Sequence, residues 1–503
     1  LVEKNPTFQR QFLMAKDIEN PSSIGFRKLG ANSVIYILGD VITRGSAFLL
    51  IPIYTRFLSP AEYGNWGVLL SLISLISIVF SFQLSSSLTM NYFQVGVDRH
   101  REIVTTLLMT TMFASAVFFI VFVVVGSGWI GSFFSGLTNS NYVLAMGICL
   151  FSAFVTIPQT LMRLRQKATA SVFIISISYL LGIIAGLYLL IRFSLGITGL
   201  LAGTLFANAL SAILYIFNVR EDLIAKFSLK IAISSVIVSF PIILHMLSHW
   251  GLNLMDRLVL QMYLPLSEVG IYQLGYQLGA AFQMIVIAIN SAWTPYFMQN
   301  FIEKKQHLNI KRYSTWLVFL LVWGALALML LLPTMVRWII PVEYEESVKV
   351  MPWIITGFLF VGLYQFWINI ILYYKKTVVV PVITAISASL NLILNLLFVP
   401  RYGYIIAAVN TGVSYLLLAC LSCLIARRVS SFSFDYYRWI KILIVGGVLF
   451  FAASLTSILW GEGFSLWTVI PALLAYPAVL WFVGFYNKDE KEYFQKFVGG
   501  IFT

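Results

Sequence analysis

Fourteen apolar runs, each about 20 residues or longer, follow one another between residues 30 and 486. A run of that length crosses the roughly 30 Å hydrocarbon core of a bilayer as one helix. Lipid offers no partner to a backbone N–H or C=O, so only helices and closed barrels can span it. A barrel would show segments of about ten residues with alternating polarity. The pattern therefore dictates an all-α integral membrane protein of about 14 transmembrane helices. They are expected at 30–55, 64–88, 103–126, 141–162, 168–191, 196–218, 231–262, 269–292, 313–333, 348–372, 377–399, 403–426, 440–460 and 465–486. Composition agrees: 60% of the 503 residues are hydrophobic and 11% are charged, with a mean hydropathy of +0.89, far from a soluble domain of this size. No cleavable signal peptide is expected, because the first run is full length and lacks a small-residue cleavage pattern.

The formal net charge of +13 is distributed by side rather than by patch. With the N-terminus counted as inside, the inner segments hold 26 of the 33 Lys and Arg, among them Arg99, Arg163, Lys304, Lys375 and Arg427. The outer segments and outer helix ends hold six: Arg56, Arg192, Arg257, Arg337, Lys349 and Arg401. Only Arg44 falls well inside a helix. This is the positive-inside bias, and it places both termini in the cytoplasm, which requires an even number of spans. The basic charge is topological and implies no nucleic-acid partner.

Three features recur at a nearly fixed offset. Glu62-Tyr63-Gly64 returns as Glu268-Val269-Gly270, the Arg192–Gly196 segment as Arg401-Tyr402-Gly403, and Lys167-Ala168-Thr169 as Lys375-Lys376-Thr377. An offset near 207 residues divides the chain into a cytoplasmic arm (1–29), an N-lobe of helices 1–6 (30–222), a C-lobe of helices 7–12 (223–430), and helices 13–14 with a tail (431–503). Both lobes start inside, so they are parallel repeats about an axis along the membrane normal. Transporters of that design hold substrate between the halves.

Charged and polar residues inside the spans are the candidate functional groups, since a lone charge there costs about 2.5–3.5 kcal/mol. In the first helix, Asp40 and Arg44 stand four residues apart. They serve either as a self-neutralising pair that lets the helix insert or as the charged wall of a water-filled cavity. Ser59-Pro60-Ala61-Glu62 then reads as a capping box with Pro at the first helical position. In the seventh helix, His245, His249, Asn253 and Asp256 fall within roughly 80° of one another, with Arg257 at the edge of that face and Pro241 as an expected kink. In the eighth, Tyr272, Tyr276, Gln283 and Asn290 form a stripe roughly 40° wide. It serves either interhelical hydrogen bonding or a polar path for sugars. Ser71, Ser74, Ser77, Ser81 and Ser85 line the second helix and suit close helix packing. Cys149, Cys420 and Cys423 all fall in spans and read as small apolar residues.

Catalytic and nucleotide signatures are missing. The sequence holds no GxxxxGK[ST] loop and no HExxH, and no GxSxG elbow. No loop is long enough to fold as a catalytic domain, so neither an enzyme nor a resident cofactor is expected.

YTRFLSPAEYG (residues 54–64) resembles the opening signature of the polysaccharide transporter family, the Wzx-type flippases of lipid-linked O-antigen and capsule repeat units. RYGYIIAAVNTG (401–412) resembles that family's glycine/alanine-rich signature, with Asn410 as a departure. The resemblance covers the whole chain and implies the fold of the multidrug/oligosaccharidyl-lipid/polysaccharide exporter (MOP) superfamily. It further implies a cell inner membrane and a glycan joined by diphosphate to a long polyprenol such as undecaprenol. With such a substrate, Arg44 and Arg257 are the expected diphosphate contacts. His249, Tyr272, Tyr276, Gln283 and Asn290 are the expected sugar wall, and Asp40, Asp256 and His245 the coupling groups for H+ or Na+. Membrane lipids and polysaccharide polymerase machinery are the expected partners. Two relatives within the superfamily stay open as alternatives, a lipid II flippase and a multidrug/cation antiporter. A glycan polymerase or ligase would need a large catalytic outer loop, which the chain lacks.

Overall fold

A computed structural model describes residue 39 and residues 45–92, 97–133, 138–459, 466–487 and 489–491. Asp40 and Arg44, on which the expected charged wall of the first helix rests, lie outside the described residues. No strand occurs among those described. Twelve of the described helices are long and apolar enough to cross a membrane, and Trp467–Phe482 is a shorter apolar one. With the helix at 45–57, that accords with about fourteen spans.

The helices run in chain order as α1 (45–57), α2 (Pro60–Ser81), α3 (Leu84–Asn91), α4 (Val97–Phe133), α5 (Asn139–Leu164), α6 (Ala168–Phe193), α7 (Gly196–Val219), α8 (Leu229–Tyr263), α9 (Leu266–Gly279), α10 (Ala281–Asn300), α11 (His307–Ile339), α12 (Met351–Tyr373), α13 (Val379–Tyr402), α14 (Tyr404–Val429), α15 (Tyr436–Leu459) and α16 (Leu466–Phe482). Large apolar side chains such as Leu49, Phe113, Ile237 and Trp467 are exposed on the bundle, as a lipid-facing surface requires.

The capping box at the start of α2 forms as the sequence indicates. Ser59 Oγ accepts from the Glu62 N–H at 3.3 Å, and the Glu62 carboxylate accepts from the Ser59 N–H at 2.8 Å. With Pro60 at the first helical position, two orphan N–H groups of the helix start are met reciprocally. Two of the expected spans are broken. The second is interrupted at Phe82 and Gln83, both left-handed at φ 45° and 49°, and Ser239 Oγ of α8 donates to the Gln83 carbonyl at 3.2 Å. The eighth is interrupted at Ala280, between α9 and α10.

Contacts define the two ends of the bundle. At one, which we call the Ser59 end, the turns at Ser59, Pro265, Gly196 and Gly403 gather with the 3₁₀ segment Val342–Lys349. Tyr344 there is wholly buried and its hydroxyl donates to the Leu58 carbonyl at 2.9 Å; burial pushes its pKa up, so it remains a donor. Here α2 and α9 cross in backbone contact. A Cβ on Gly64 would sit 2.0 Å from the Leu266 carbonyl oxygen, and one on Gly270 would sit 1.9 Å from that of Pro60. At the opposite end, Arg165 pairs with Asp222, tying α5 to the segment after α7. There too, Glu490 accepts from Arg438 Nη2 at 2.8 Å and from Trp316 Nε1 at 3.1 Å. That link joins α15 and the stretch after α16 to α11.

Candidate functional site

Two features converge near the Ser59 end: a buried knot of polar side chains among α8, α9, α13 and α14, and a cavity between α9 and the helices of the first half.

The knot is built on two consecutive residues of α8. Neighbours on a helix point about 100° apart, so Asp256 turns toward α13 and α14 while Arg257 turns toward α9. Asp256 has no exposed surface. Its carboxylate accepts from the Tyr272 hydroxyl at 2.5 Å, from Thr411 Oγ1 at 2.9 Å and from Asn395 Nδ2 at 2.9 Å. Asn395 Nδ2 also donates to Asn391 Oδ1 at 3.1 Å, and Asn395 Oδ1 accepts from Asn410 Nδ2 at 2.9 Å. Arg257 is 2% exposed. Its Nε donates to Gln273 Oε1 at 2.9 Å and its Nη1 to the Asn253 carbonyl at 2.7 Å. Its guanidinium carbon lies 3.8 Å from the centre of the Tyr276 ring, a cation–π distance. Two ions removed from water cost several kcal/mol each unless their remaining donors and acceptors are met. Here two hydroxyls and one amide meet the Asp256 carboxylate, and two carbonyl-type oxygens and the faces of Tyr272 and Tyr276 meet the Arg257 guanidinium.

The cavity holds about 310 Å3 and is walled by Tyr54, Trp66, Tyr179, Asn208, Gln273 and Gln277 among others. It lies beside the α2/α9 crossing, further along both helices from the Ser59 end. Gln273 belongs to both features: its oxygen faces Arg257 while the side chain lines the cavity. A Cβ at Gly67 would lie 2.8 Å from Gln273 Cγ, so only a glycine leaves room for that side chain against α2.

The structure thus brings Asp256, Arg257, Tyr272 and Tyr276 together, and reaches His249 through Asn253. Asn253 Nδ2 donates to the His249 carbonyl at 2.7 Å, and Asn253 Oδ1 accepts from the Tyr415 hydroxyl at 2.7 Å. His245 is half-buried, and its Nδ1 has no hydrogen-bond partner. The expected stripe of Tyr272, Tyr276, Gln283 and Asn290 does not run down one helix. The break at Ala280 ends α9 after the tyrosines, leaving Gln283 and Asn290 on α10, where Asn290 Oδ1 accepts from Thr294 Oγ1 at 3.0 Å. A uniform rotation of 100° per residue does not carry across such a break. Asn391, Asn395 and Thr411 were missed, although two asparagines four residues apart in SLNLILN are a legible intramembrane signal. The cavity aromatics gave none, because Trp66, Tyr54 and Tyr179 sit in apolar runs like any buried aromatic. Among the described residues, no cluster of three or more His, Cys, Asp and Glu could hold a metal ion.

Comparison with known proteins places this arrangement. Residues 29–301 match the family described as polysaccharide biosynthesis protein, and residues 241–397 match MatE. The chain is 23% identical over 378 residues to Lsg locus putative protein 1 of Haemophilus influenzae, covering 68% of this chain and 80% of that one. It is 22% identical over 381 residues to an uncharacterized membrane protein of the same organism, covering 72% and 88%. Among solved structures, the lipid II flippase MurJ in an inward closed conformation superposes with a TM-score of 0.71 at 14% identity, covering 90% of this chain and 98% of that one. An inward-facing multidrug resistance MATE transporter of the MOP superfamily gives 0.64 at 12% identity, covering 78% and 98%. At such identities the likeness is one of fold.

Proposed function

Because this chain belongs to the polysaccharide biosynthesis protein family and has the fold of MOP-superfamily flippases and transporters, we propose that it flips a polyprenyl-diphosphate-linked oligosaccharide, an O-antigen or capsule repeat unit, to the outer leaflet by alternating access. Flippases of this superfamily are transporters, and the chain is one rather than an enzyme. The observation that carries the reading is the joined site: a buried guanidinium, Arg257, one amide away from a cavity whose described lining residues are uncharged and which lies beside the α2/α9 crossing. A diphosphate and several sugars cannot cross hydrocarbon without polar partners. Aromatic and amide walls supply those for sugars, and arginine supplies planar donors for phosphate oxygens.

In this reading the protein sits in the inner membrane with both termini in the cytoplasm, and the Ser59 end faces outward. The lobes 30–222 and 223–430 rock about the α2/α9 seam. Asp256 carries the coupling ion, H+ or Na+, with Asp40 and His245 as further coupling groups. Arg44 joins Arg257 at the diphosphate, His249, Tyr272 and Tyr276 border the glycan path near Arg257, and Gln283 and Asn290 line its continuation along α10. Membrane lipids surround the bundle, and polysaccharide polymerase machinery receives the product.

Deletion of the gene is expected to make lipid-linked repeat units accumulate on the cytoplasmic leaflet while surface glycan falls. Unchanged surface glycan with no accumulated intermediate would defeat the reading. Topology is checked separately. Single cysteines placed near Lys304 and Arg428 are expected to resist an impermeant thiol reagent in intact cells, while those near Asn139 and Glu345 are labelled. The reverse pattern would invert the bundle.

A further inference from the structure

We propose that the cavity between α9 and the helices of the first half is a subsite for one uncharged sugar ring of the glycan. It rests on the flippase reading above and adds a location and a selectivity to it. Four aromatics, Tyr54, Tyr63, Trp66 and Tyr179, are among the wall residues, and an aromatic face suits the C–H face of a pyranose. Gln277 gives its oxygen to the Tyr63 hydroxyl at 2.7 Å, and Gln273 gives its oxygen to Arg257. Both amide NH2 groups are thereby left as donors for the cavity. Asn208 spends its Nδ2 on the Thr204 carbonyl at 2.9 Å, which leaves its oxygen as an acceptor. A hydroxylated or acetamido-bearing ring offers the complementary set, acceptors for the glutamines and a donor for Asn208.

Among the described residues lining the cavity, none is Asp, Glu, Lys, Arg or His. Arg257 stands behind Gln273, its Nε turned to the amide oxygen. An acidic sugar brought here would lose its water and meet no counter-charge among the described lining residues, which is costly. The volume of about 310 Å3 is at the low end of small-ligand cavities, about 300–1,000 Å3. It accommodates a ring or two, not a whole repeat unit. The diphosphate and the prenyl chain therefore lie elsewhere while this ring is held.

The test uses the purified full chain in lipid nanodiscs and three probes: bare polyprenyl diphosphate, the same lipid carrying one N-acetylhexosamine, and the same lipid carrying one uronic acid. The neutral glycolipid is expected to bind about tenfold tighter than the bare lipid, and the uronic acid form no tighter than the bare lipid. Gln277→Leu is expected to remove the tenfold increment and leave bare-lipid affinity unchanged. Thr204→Leu, which narrows the cavity from another wall, is expected to do the same, so the result does not hang on one variant folding. An increment that survives both variants, or an equal increment for the uronic acid, overturns the subsite while leaving the flippase reading intact. Failure of the unsubstituted protein to bind any of the three overturns the flippase reading itself, and the subsite with it.

Discussion

Replacing Gly270 with alanine is expected to leave the protein in the membrane at normal abundance, part the α2/α9 seam at the Ser59 end and abolish glycan export. The added methyl would stand 1.9 Å from the Pro60 carbonyl oxygen, 2.8 Å from its carbon and 2.9 Å from the Gly64 nitrogen. All three obstacles are backbone, so no side chain can swing aside, and α2 and α9 must part. Overpacking of this kind costs about 1–3 kcal/mol. Because it falls only on the state in which α2 and α9 touch, it shifts the ratio of closed to open seam by roughly 5- to 150-fold. Gly64→Ala is expected to act alike, since its methyl would meet the Leu266 carbonyl oxygen at 2.0 Å. The measurement is labelling of a cysteine at Ala207, on the cavity wall, by an impermeant thiol reagent from outside. The background has Cys149, Cys420 and Cys423 replaced. Labelling should rise as export falls. Normal export with unchanged labelling would show that the seam does not have to close for transport.

Asp256 and Arg257 carry the second large effect. Asp256→Ala leaves the Arg257 guanidinium buried without its neighbouring carboxylate, orphans the Tyr272 hydroxyl, and leaves Asn395 Nδ2 and Thr411 Oγ1 with only their other acceptors, Asn391 Oδ1 and the Ala407 carbonyl. Breaking a buried charge arrangement from one side costs about 3–5 kcal/mol, so the purified variant is expected to melt well below the unsubstituted protein. The double change Asp256→Asn with Arg257→Gln removes both charges together and retains polar atoms in the knot. It is expected to recover most of the lost stability and still fail to export glycan. That separation distinguishes a coupling and substrate role from a purely structural pair. A double variant that is both stable and active would leave Asp256 and Arg257 as scaffolding.

The spans were legible because length and hydropathy decide them almost alone; α8 was expected at 231–262 and runs Leu229–Tyr263. The start of α2 was legible because a capping box is local chemistry. The joined site was only half legible. Asp256 and Arg257 announced themselves as charges at membrane depth, but their partners come from α9, α13 and α14, up to 155 residues away in sequence. No periodicity within α8 points to those partners. The interruption at Ala280 also escaped notice, because neither Gly279 nor Ala280 is a strong enough breaker to stand out in an apolar run. The cavity was missed for the opposite reason: its walls are the aromatic and amide residues that also serve ordinary helix packing.

The link among Arg438, Glu490 and Trp316 has a mechanical consequence. It fixes α15 and the stretch after α16 to α11, and α16 is held there too, with Trp323 Nε1 donating to the Leu473 carbonyl at 3.2 Å. Whatever rotates α11 must sweep two further helices sideways through lipid tails, like a keel through water. The drag on that keel depends on the viscosity of the surrounding bilayer, and the lipid displaced around it on bilayer thickness. In the alternating-access reading proposed above, the speed of the cycle therefore depends partly on the membrane in which the protein is placed.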